Sequence, residues 1–183
     1  YSINNSLNLN QIHGKKLSYN NYNDINAALT ISKSLPNNLG VVVVKHANPC
    51  GVSIKKNKLS CYLSALACDP ISAFGGIVSC NFKINSKLAS ELSKIFFEVI
   101  IANGFNQKAL KILKKKKKMR VIDISKYKYE TKTTVKFFDN SFLLQEKDGL
   151  VFHKKKLKCV TKKKPSSKEL KDIEFAFKIC KFV

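Results

Sequence analysis

The stretch Gly40–Gly51 constrains the fold more than any other part of this sequence. It begins with four consecutive valines, Val41–Val44, and such a run is typical of a strand buried on both faces, as in a parallel sheet. Lys45 and His46 follow directly, and Asn48–Gly51 is then predicted to form a tight loop. Because ligands of open α/β sheets bind outside the carboxyl ends of strands, this position is a candidate active site.

The composition indicates a globular domain with a basic surface. The 183 residues are 44% hydrophobic and 25% charged, and no apolar run approaches the length of a membrane-spanning helix. The formal net charge is +22, yet Arg120 is the single arginine among 34 basic residues. Proteins that read bases or clamp phosphates favour arginine for its bidentate fork. We therefore expect a solvated lysine surface without nucleic-acid or membrane binding, and the alternative is a non-enzymatic basic module that binds RNA or anionic surfaces.

The six cysteines predict reduced thiols in the cytosol. They form no Cys-x-x-Cys pair, and several lie in apolar segments, where a cysteine behaves as a small hydrophobic residue. The amino-terminal sequence has neither the basic nor the apolar region of a signal peptide. It also lacks an initiating methionine, so we expect the chain to begin inside a longer protein.

Helical and strand patterns alternate through the first two thirds of the chain. Asp24 is a good helix N-cap, and apolar residues at helical spacing follow it to about Leu35. Further helices are predicted over 59–68, 86–95 and 107–118, and further strands over 77–80, 97–102 and 119–124. This alternation predicts an α/β fold, a layered α/β/α domain with a largely parallel sheet.

We predict four segments along the chain. They are a polar leading segment at 1–23, the α/β core at 24–124, an irregular region with short strands at 125–165, and a helix at 166–183 that is cut at the carboxyl terminus. Within the irregular region, 142–145 and 150–152 are predicted strands around a hairpin-like turn at 147–149. The final helix meets no terminating residue, so we expect the chain to stop in the middle of a domain.

Lys45 and His46 suit acid–base chemistry at the end of the valine strand. A neutral histidine is a general base near physiological pH, and a neighbouring lysine lowers its pKa and can stabilise a developing oxyanion. That pairing fits transfer of an acyl-level carbon to an amine. The alternative is structural: His46 only bonds a nearby carbonyl and Lys45 is solvated.

Two further patterns near this site have competing interpretations. The segment 46–53 hints at the zinc deaminase signature, but Asn48 replaces its glutamate and Ser53 replaces its second cysteine, so we predict no metal. Gly75 and Gly76 follow Phe74, and paired glycines allow close approach of a ligand to the backbone. The alternative for the glycines is a simple tight turn into a strand.

The segment 45–51, KHANPCG, resembles the signature of the bifunctional purine-biosynthesis enzyme family, in which AICAR transformylase is joined to IMP cyclohydrolase. Supporting stretches occur in the family's order at 14–21 (GKKLSYNN), 68–76 (CDPISAFGG), 97–102 (FEVIIA), 143–145 (LLQ) and 177–183 (FKICKFV). The resemblance covers nearly the whole chain. It implies a cytidine-deaminase-like subdomain that has lost zinc.

The resemblance also implies an activity in IMP biosynthesis and roles for individual residues. The transformylase moves a formyl group from 10-formyltetrahydrofolate, a co-substrate, to the 5-amino group of AICAR ribotide, and IMP cyclohydrolase then closes the ring. By resemblance, His46 takes the proton from the attacking amine and Lys45 stabilises the transition state. Asn20, Gly75 and Glu98 match positions of the nucleotide site. Loop residues that support the site are Asn48, Pro49, Gly51, Ser72 and Phe74.

Set against the family, this chain corresponds to the first part of the transformylase region. The cyclohydrolase domain and the second transformylase subdomain, with most folate contacts, have no counterpart in the 183 residues. The family's active sites lie at a homodimer interface in the full-length cytosolic enzyme. We therefore expect a fragment that is inactive, or nearly so, by itself.

Overall fold

The structure, a computed structural model, describes residues 9–127, 133–147, 149, 152 and 157–183. In chain order the elements of this part are β1 (Asn10–His13), α1 (Tyr19–Ser34), β2 (Gly40–Lys45), β3 (Asn48–Ile54), α2 (Lys58–Leu66), β4 (Ile77–Cys80), α3 (Ser86–Leu92), β5 (Val99–Ala102), α4 (Gln107–Leu113), β6 (Arg120–Asp123), β7 (Thr133–Phe138), β8 (Ser141–Glu146) and α5 (Ser167–Cys180). They form two compact units, one within residues 1–127 and 182–183, called the sheet unit, and one within 128–181, called the hairpin unit.

A mixed six-stranded sheet forms the centre of the sheet unit. Its strand order is β1-β6-β5-β4-β2-β3. The strands β4, β5 and β6 are parallel to one another, whereas β2 is antiparallel to both β3 and β4, and β1 is antiparallel to β6. One core cluster joins alternate strand residues to α2, α3 and α4. The buried face of α1 lies outside that cluster, against the strand residues of opposite alternation. The predicted α/β class and its layered arrangement are confirmed.

The valine strand β2 is buried on both faces, as expected, but its pairing is not parallel. Val41–Val44 are completely inaccessible to solvent because helices cover both faces of the sheet. Burial on both faces depends on these covering layers and not on strand direction. The apolar run therefore predicted the layers correctly and gave no information on the orientation of β2.

Two local predictions around this strand were wrong. Helix α1 begins at Tyr19 and not after Asp24, because Ser18 caps it: the Ser18 Oγ accepts from the Asn21 N–H, and the Asn21 Oδ1 accepts from the Ser18 N–H. The predicted loop Asn48–Gly51 is the first part of β3. The connection between β2 and β3 is therefore only two residues long.

The hairpin unit contains β7, β8 and α5. The strands β7 and β8 pair antiparallel and turn at Asp139–Asn140, a hairpin that the sequence patterns did not predict. The turn predicted at 147–149 lies partly outside the described residues and stays a prediction. Most of the second strand predicted there, 150–152, lies outside the described residues. Helix α5 begins after Ser166, whose side chain forms a capping box with Glu169, as the Pro165–Ser166 start predicted.

The helices that the structure describes include no candidate for a membrane span. None of them has both the length and the apolar composition that a membrane span requires.

Candidate active site

Three separated parts of the chain lie side by side where the central strands β2, β4 and β5 end or begin, and this end of the strands is called the edge below. In the strand register, Val44 pairs with Ile77, and Ile77 pairs with Val99. Lys45 therefore leaves β2 where Gly75–Gly76 enter β4 and where Glu98 enters β5. The edge is the carboxyl end of β2 but the amino end of β4, β5 and β6, because β2 is antiparallel. The candidate site therefore lies at a carboxyl end for β2 only, and the rule that ligands bind at the carboxyl ends of strands does not describe the other three strands here.

His46 lies in a strained two-residue turn between β2 and β3. Its φ angle is 53° and that of Ala47 is 61°, both in the left-handed region that non-glycine residues rarely adopt. Because Lys45 pairs with Asn48, the turn is the two-residue type I′ connection of a β-hairpin, which usually contains Asn-Gly. The turn leaves His46 exposed, so its ring can exchange protons with a bound molecule.

Lys45 is half-buried and is held against the loop that enters β4. Its Nζ donates to the backbone oxygen of Phe74 at 2.5 Å. Gly75 follows with a φ of 72°, and a Cβ built there would lie 3.7 Å from the Lys45 Nζ. Glycine is needed at this position for its backbone conformation, and it also leaves space beside the ammonium group.

Ser72 and Phe74 belong to the turn that precedes Gly75. The Asp69 carboxylate accepts from the Ser72 Oγ at 2.6 Å and from the Ser72 N–H at 2.9 Å, and these bonds lower the pKa of Asp69 below its usual range. Phe74 is exposed, and its ring lies 5.7 Å from that of Phe96. Ser72 therefore shapes the turn, while Phe74 presents an aromatic surface next to Lys45.

Glu98 is half-buried and is anchored through one of its two carboxylate oxygens. The Asn21 Nδ2 donates to Glu98 Oε2 at 2.8 Å, and the Arg120 Nη1 lies 3.8 Å from the same oxygen. Asn20, which the family resemblance selects, is exposed in the first turn of α1. Among the described residues it is the neighbouring Asn21 that contacts Glu98.

Sequence reasoning missed Asn21 and Arg120, although each carried a signal. Asn21 lies three residues after Ser18, which is the spacing of a capping box. Arg120 is the single arginine of a lysine-rich chain, and it also donates from Nε to the Lys16 carbonyl at 3.4 Å. A third residue missed in this way is Asp24, whose Oδ1 accepts from the Ala47 N–H at 2.8 Å.

The predicted supporting residues Asn48, Pro49 and Gly51 lie in β3. Asn48 donates from Nδ2 to the His46 carbonyl at 3.2 Å. The register slips between Pro49 and Gly51, so Cys50 forms a bulge next to the turn, and partial burial raises the pKa of its thiol. A Cβ at Gly51 would lie 2.0 Å from the Ala65 carbonyl oxygen, so only glycine allows α2 to pack here.

The edge thus brings together an exposed imidazole, a half-buried ammonium and an anchored carboxylate. An imidazole can remove a proton, an ammonium can stabilise a developing negative charge, and a carboxylate can accept a hydrogen bond from an amine. Within the described ranges there is no group of three or more His, Cys, Asp or Glu side chains that could hold a metal ion.

Comparisons with known proteins extend over almost the whole chain. The family model described as AICARFT/IMPCHase bienzyme matches residues 2–183. The "Bifunctional purine biosynthesis protein PurH" of Thermoanaerobacter sp. (strain X514) is 46% identical over 173 residues, which is 94% of this chain and 34% of that protein. The protein of the same name from Aquifex aeolicus (strain VF5) is 38% identical over 170 residues, 93% of this chain and 33% of that protein. The chain spans about a third of the length of these curated relatives.

Proposed function

The chain belongs to the AICARFT/IMPCHase bienzyme family, and from that premise we propose that it supplies the catalytic dyad of the formyl-transfer site. The reaction is transfer of a formyl group from 10-formyltetrahydrofolate to the 5-amino group of AICAR ribotide, in purine biosynthesis. The observation that carries the proposal is the strand register, which brings the turn at His46, the loop at Gly75 and the carboxylate of Glu98 to one edge.

In the proposed step the amine nitrogen attacks the formyl carbon and forms the new C–N bond. His46 accepts the proton that the amine loses, and its exposed position in the turn allows this contact. The Lys45 ammonium stabilises the negative charge that develops on the formyl oxygen. The bond between the formyl carbon and the folate nitrogen then breaks, and that nitrogen takes up a proton as tetrahydrofolate leaves.

The ribotide is bound by the two loops and the carboxylate beside the dyad. The Asn21 amide and the Arg120 guanidinium contact Glu98 Oε2, and the other carboxylate oxygen, Oε1, is proposed to accept a hydrogen bond from the substrate. Gly75 admits the ribotide to the backbone next to Lys45, and Asn20 at the exposed start of α1 contributes a further polar contact. No zinc takes part, because Asn48 and Ser53 stand where the deaminase signature has its glutamate and second cysteine.

The chain spans about a third of the length of its curated relatives, and we propose that further parts of the family's structure contribute to the complete reaction. The second transformylase subdomain supplies most folate contacts, a homodimer completes the site, and the cyclohydrolase step belongs to the full-length cytosolic enzyme. Because the charge of +22 comes almost entirely from lysines, no nucleic acid or membrane is a proposed partner.

The test is formyl transfer by this chain co-expressed with a relative's second transformylase subdomain. His46→Ala is expected to lower kcat roughly 10²–10⁴-fold, because a positioned general base is lost. His13→Ala is the matched control, since His13 lies in β1 and contacts the Lys116 carbonyl. An unchanged rate in His46→Ala would contradict the proposal and leave the basic-module alternative, in which binding depends on salt and is insensitive to His46.

A further inference from the structure

Helix α1 contacts the candidate site through two side chains that lie one turn apart. Asn21 and Asp24 are three residues apart, and residues at this spacing share one face of a helix. Asn21 is buried and contacts Glu98, while Asp24 is half-buried and contacts the turn at Ala47. One helix face therefore reaches both sides of the proposed formyl-transfer site.

The contact of Asp24 fixes a single peptide group next to His46. The N–H of Ala47 and the carbonyl of His46 belong to the same peptide unit. Asp24 Oδ1 accepts from that N–H at 2.8 Å, and Asn48 Nδ2 donates to that carbonyl at 3.2 Å. The peptide plane is therefore held at both ends by side chains from different elements, although the two turn residues stand outside the β2–β3 pairing.

This peptide group determines which turn type the hairpin adopts. Type I′ keeps both turn residues at positive φ, whereas type II′ keeps only the first, and the two differ in the orientation of the central peptide. Ala47 has no intrinsic reason to stay at a φ of 61°, because left-handed conformations are unfavourable for alanine. The carboxylate of Asp24 stabilises the strained orientation, and the direction of the His46 side chain follows from it.

Asn21 uses both ends of its amide, which fixes the orientation of the group. Its Oδ1 accepts from the Ser18 N–H at 3.1 Å, so its Nδ2 points to Glu98 Oε2 at 2.8 Å. The capping box that starts α1 therefore also orients the Asn21 Nδ2 donor toward the Glu98 carboxylate. With Oε2 held, rotation of the Glu98 carboxylate is restricted, and its other oxygen keeps a defined direction.

We propose that Asn21 and Asp24 are positioning residues of the site, Asp24 for the His46 turn and Asn21 for the Glu98 carboxylate. The inference rests on the proposed function for its kinetic consequences, while its structural contacts can be measured independently. It predicts that the two residues affect different kinetic parameters, because His46 acts in the chemical step and Glu98 in binding of the ribotide.

For Asp24 the comparison is between Asp24→Ala and Asp24→Asn in the co-expressed assembly. The alanine variant is expected to lower kcat roughly ten- to hundredfold with little change in the KM for AICAR ribotide, because the base is misaligned. The asparagine variant keeps an oxygen acceptor and is expected to restore most of the rate. In the chain alone, hydrogen exchange of the Ala47 amide is expected to accelerate roughly tenfold in Asp24→Ala only.

For Asn21 the informative change is Asn21→Asp, which keeps the acceptor for the Ser18 N–H but places a carboxylate against Glu98. The KM for AICAR ribotide is expected to rise about tenfold, because the bond to a charged group is replaced by repulsion. Ser18→Ala is the matched control: it removes a helix cap, with its cost in stability, and leaves the bond between Asn21 and Glu98 in place. Its KM is expected to stay unchanged.

The outcomes separate this inference from the proposed function. Wild-type exchange of the Ala47 amide in a folded Asp24→Ala variant would overturn the role of Asp24, as would an asparagine variant as slow as the alanine one. A KM that does not change in Asn21→Asp, or that rises equally in Ser18→Ala, would overturn the role of Asn21. If instead His46→Ala keeps the wild-type rate, the proposed function fails, and the Ala47 exchange measurement still decides whether Asp24 holds the turn.

Discussion

The sheet unit and the hairpin unit differ in where their apolar side chains lie. The strands β2, β4 and β5 of the sheet unit are almost entirely buried, between helices on both faces. In the described hairpin unit no residue of β7, β8 or α5 is buried, and the side chain of Phe137 is 80% exposed. Contacts between distant segments therefore position residues in the sheet unit, whereas local pairing and caps maintain the elements of the hairpin unit.

This difference explains why the candidate site belongs to the sheet unit. A dyad and a carboxylate from separate parts of the chain need a rigid scaffold to keep their geometry. The buried strand register supplies that scaffold at the edge where Lys45 ends β2 and Glu98 precedes β5. Substitutions of the same type in the two units should therefore have unequal effects on stability.

The largest difference is expected for one leucine in each unit. Leu113 is completely buried and Leu143 is 63% exposed. Leu113→Ala is expected to lower the free energy of unfolding by about 2–5 kcal/mol, through lost transfer energy and the cavity left behind. Leu143→Ala is expected to change it by about 0.5 kcal/mol or less. Urea unfolding followed by amide NMR signals of each unit measures both, and equal losses would contradict the comparison.

A second pair of variants compares two glycines. Gly51→Ala would place a Cβ 2.0 Å from the Ala65 carbonyl, whereas nothing lies within 4 Å of a Cβ at Gly149. Because α2 must move away from β3, Gly51→Ala is expected to destabilise the sheet unit by about 3 kcal/mol. Gly149→Ala is expected to have almost no effect. The same urea titration applies, and a Gly51→Ala variant as stable as the wild type would show that α2 and β3 can separate at little cost.

Alanine-to-glycine substitutions are expected to change stability least, and in opposite directions in the two units. Ala47→Gly removes the strain of an alanine in the left-handed conformation. It is expected to stabilise the sheet unit by about 0.5–1 kcal/mol, because this gain exceeds the larger backbone entropy of glycine in the unfolded chain. Ala176→Gly, at an exposed position inside α5, is expected to destabilise that helix by about 1 kcal/mol. Circular dichroism melting curves measure both changes. Destabilisation by Ala47→Gly would show that the turn is not strained.

Sequence patterns predicted those parts of the fold that depend on local periodicity. The buried valine strand, the strand at 77–80 and the helix after Ser166 are confirmed because apolar spacing and caps decide them. The orientation of β2 could not be predicted, since burial on both faces is the same for parallel and antiparallel strands. The predicted start of α1 lies too far along the chain, because the capping box of Ser18 and Asn21 starts the helix despite the low apolar content of its first turns.

The same distinction holds for the candidate site. Lys45, His46 and Gly75 could be selected from the sequence because they are adjacent to strong strand signals. The capping-box spacing marks Asn21 as the partner of Ser18. The contacts of Asn21 with Glu98 and of Asp24 with Ala47 could not be predicted, because they join residues that are far apart in the chain. The family resemblance also selected Asn20, which is exposed beside the Asn21 that contacts Glu98. Its role remains a prediction.

Titration of the ¹⁵N-labelled full chain with AICAR ribotide is the most direct test of the claim that the ribotide binds at this edge. We expect the largest chemical-shift changes at the amides of Ala47, Gly75 and Glu98, and we expect them to be lost in Glu98→Gln. Binding through lysines would instead shift the segments 114–118 and 162–164 and disappear steeply with salt. Shifts confined to those lysine-rich segments, or an edge that does not respond to the ribotide, would contradict the claim.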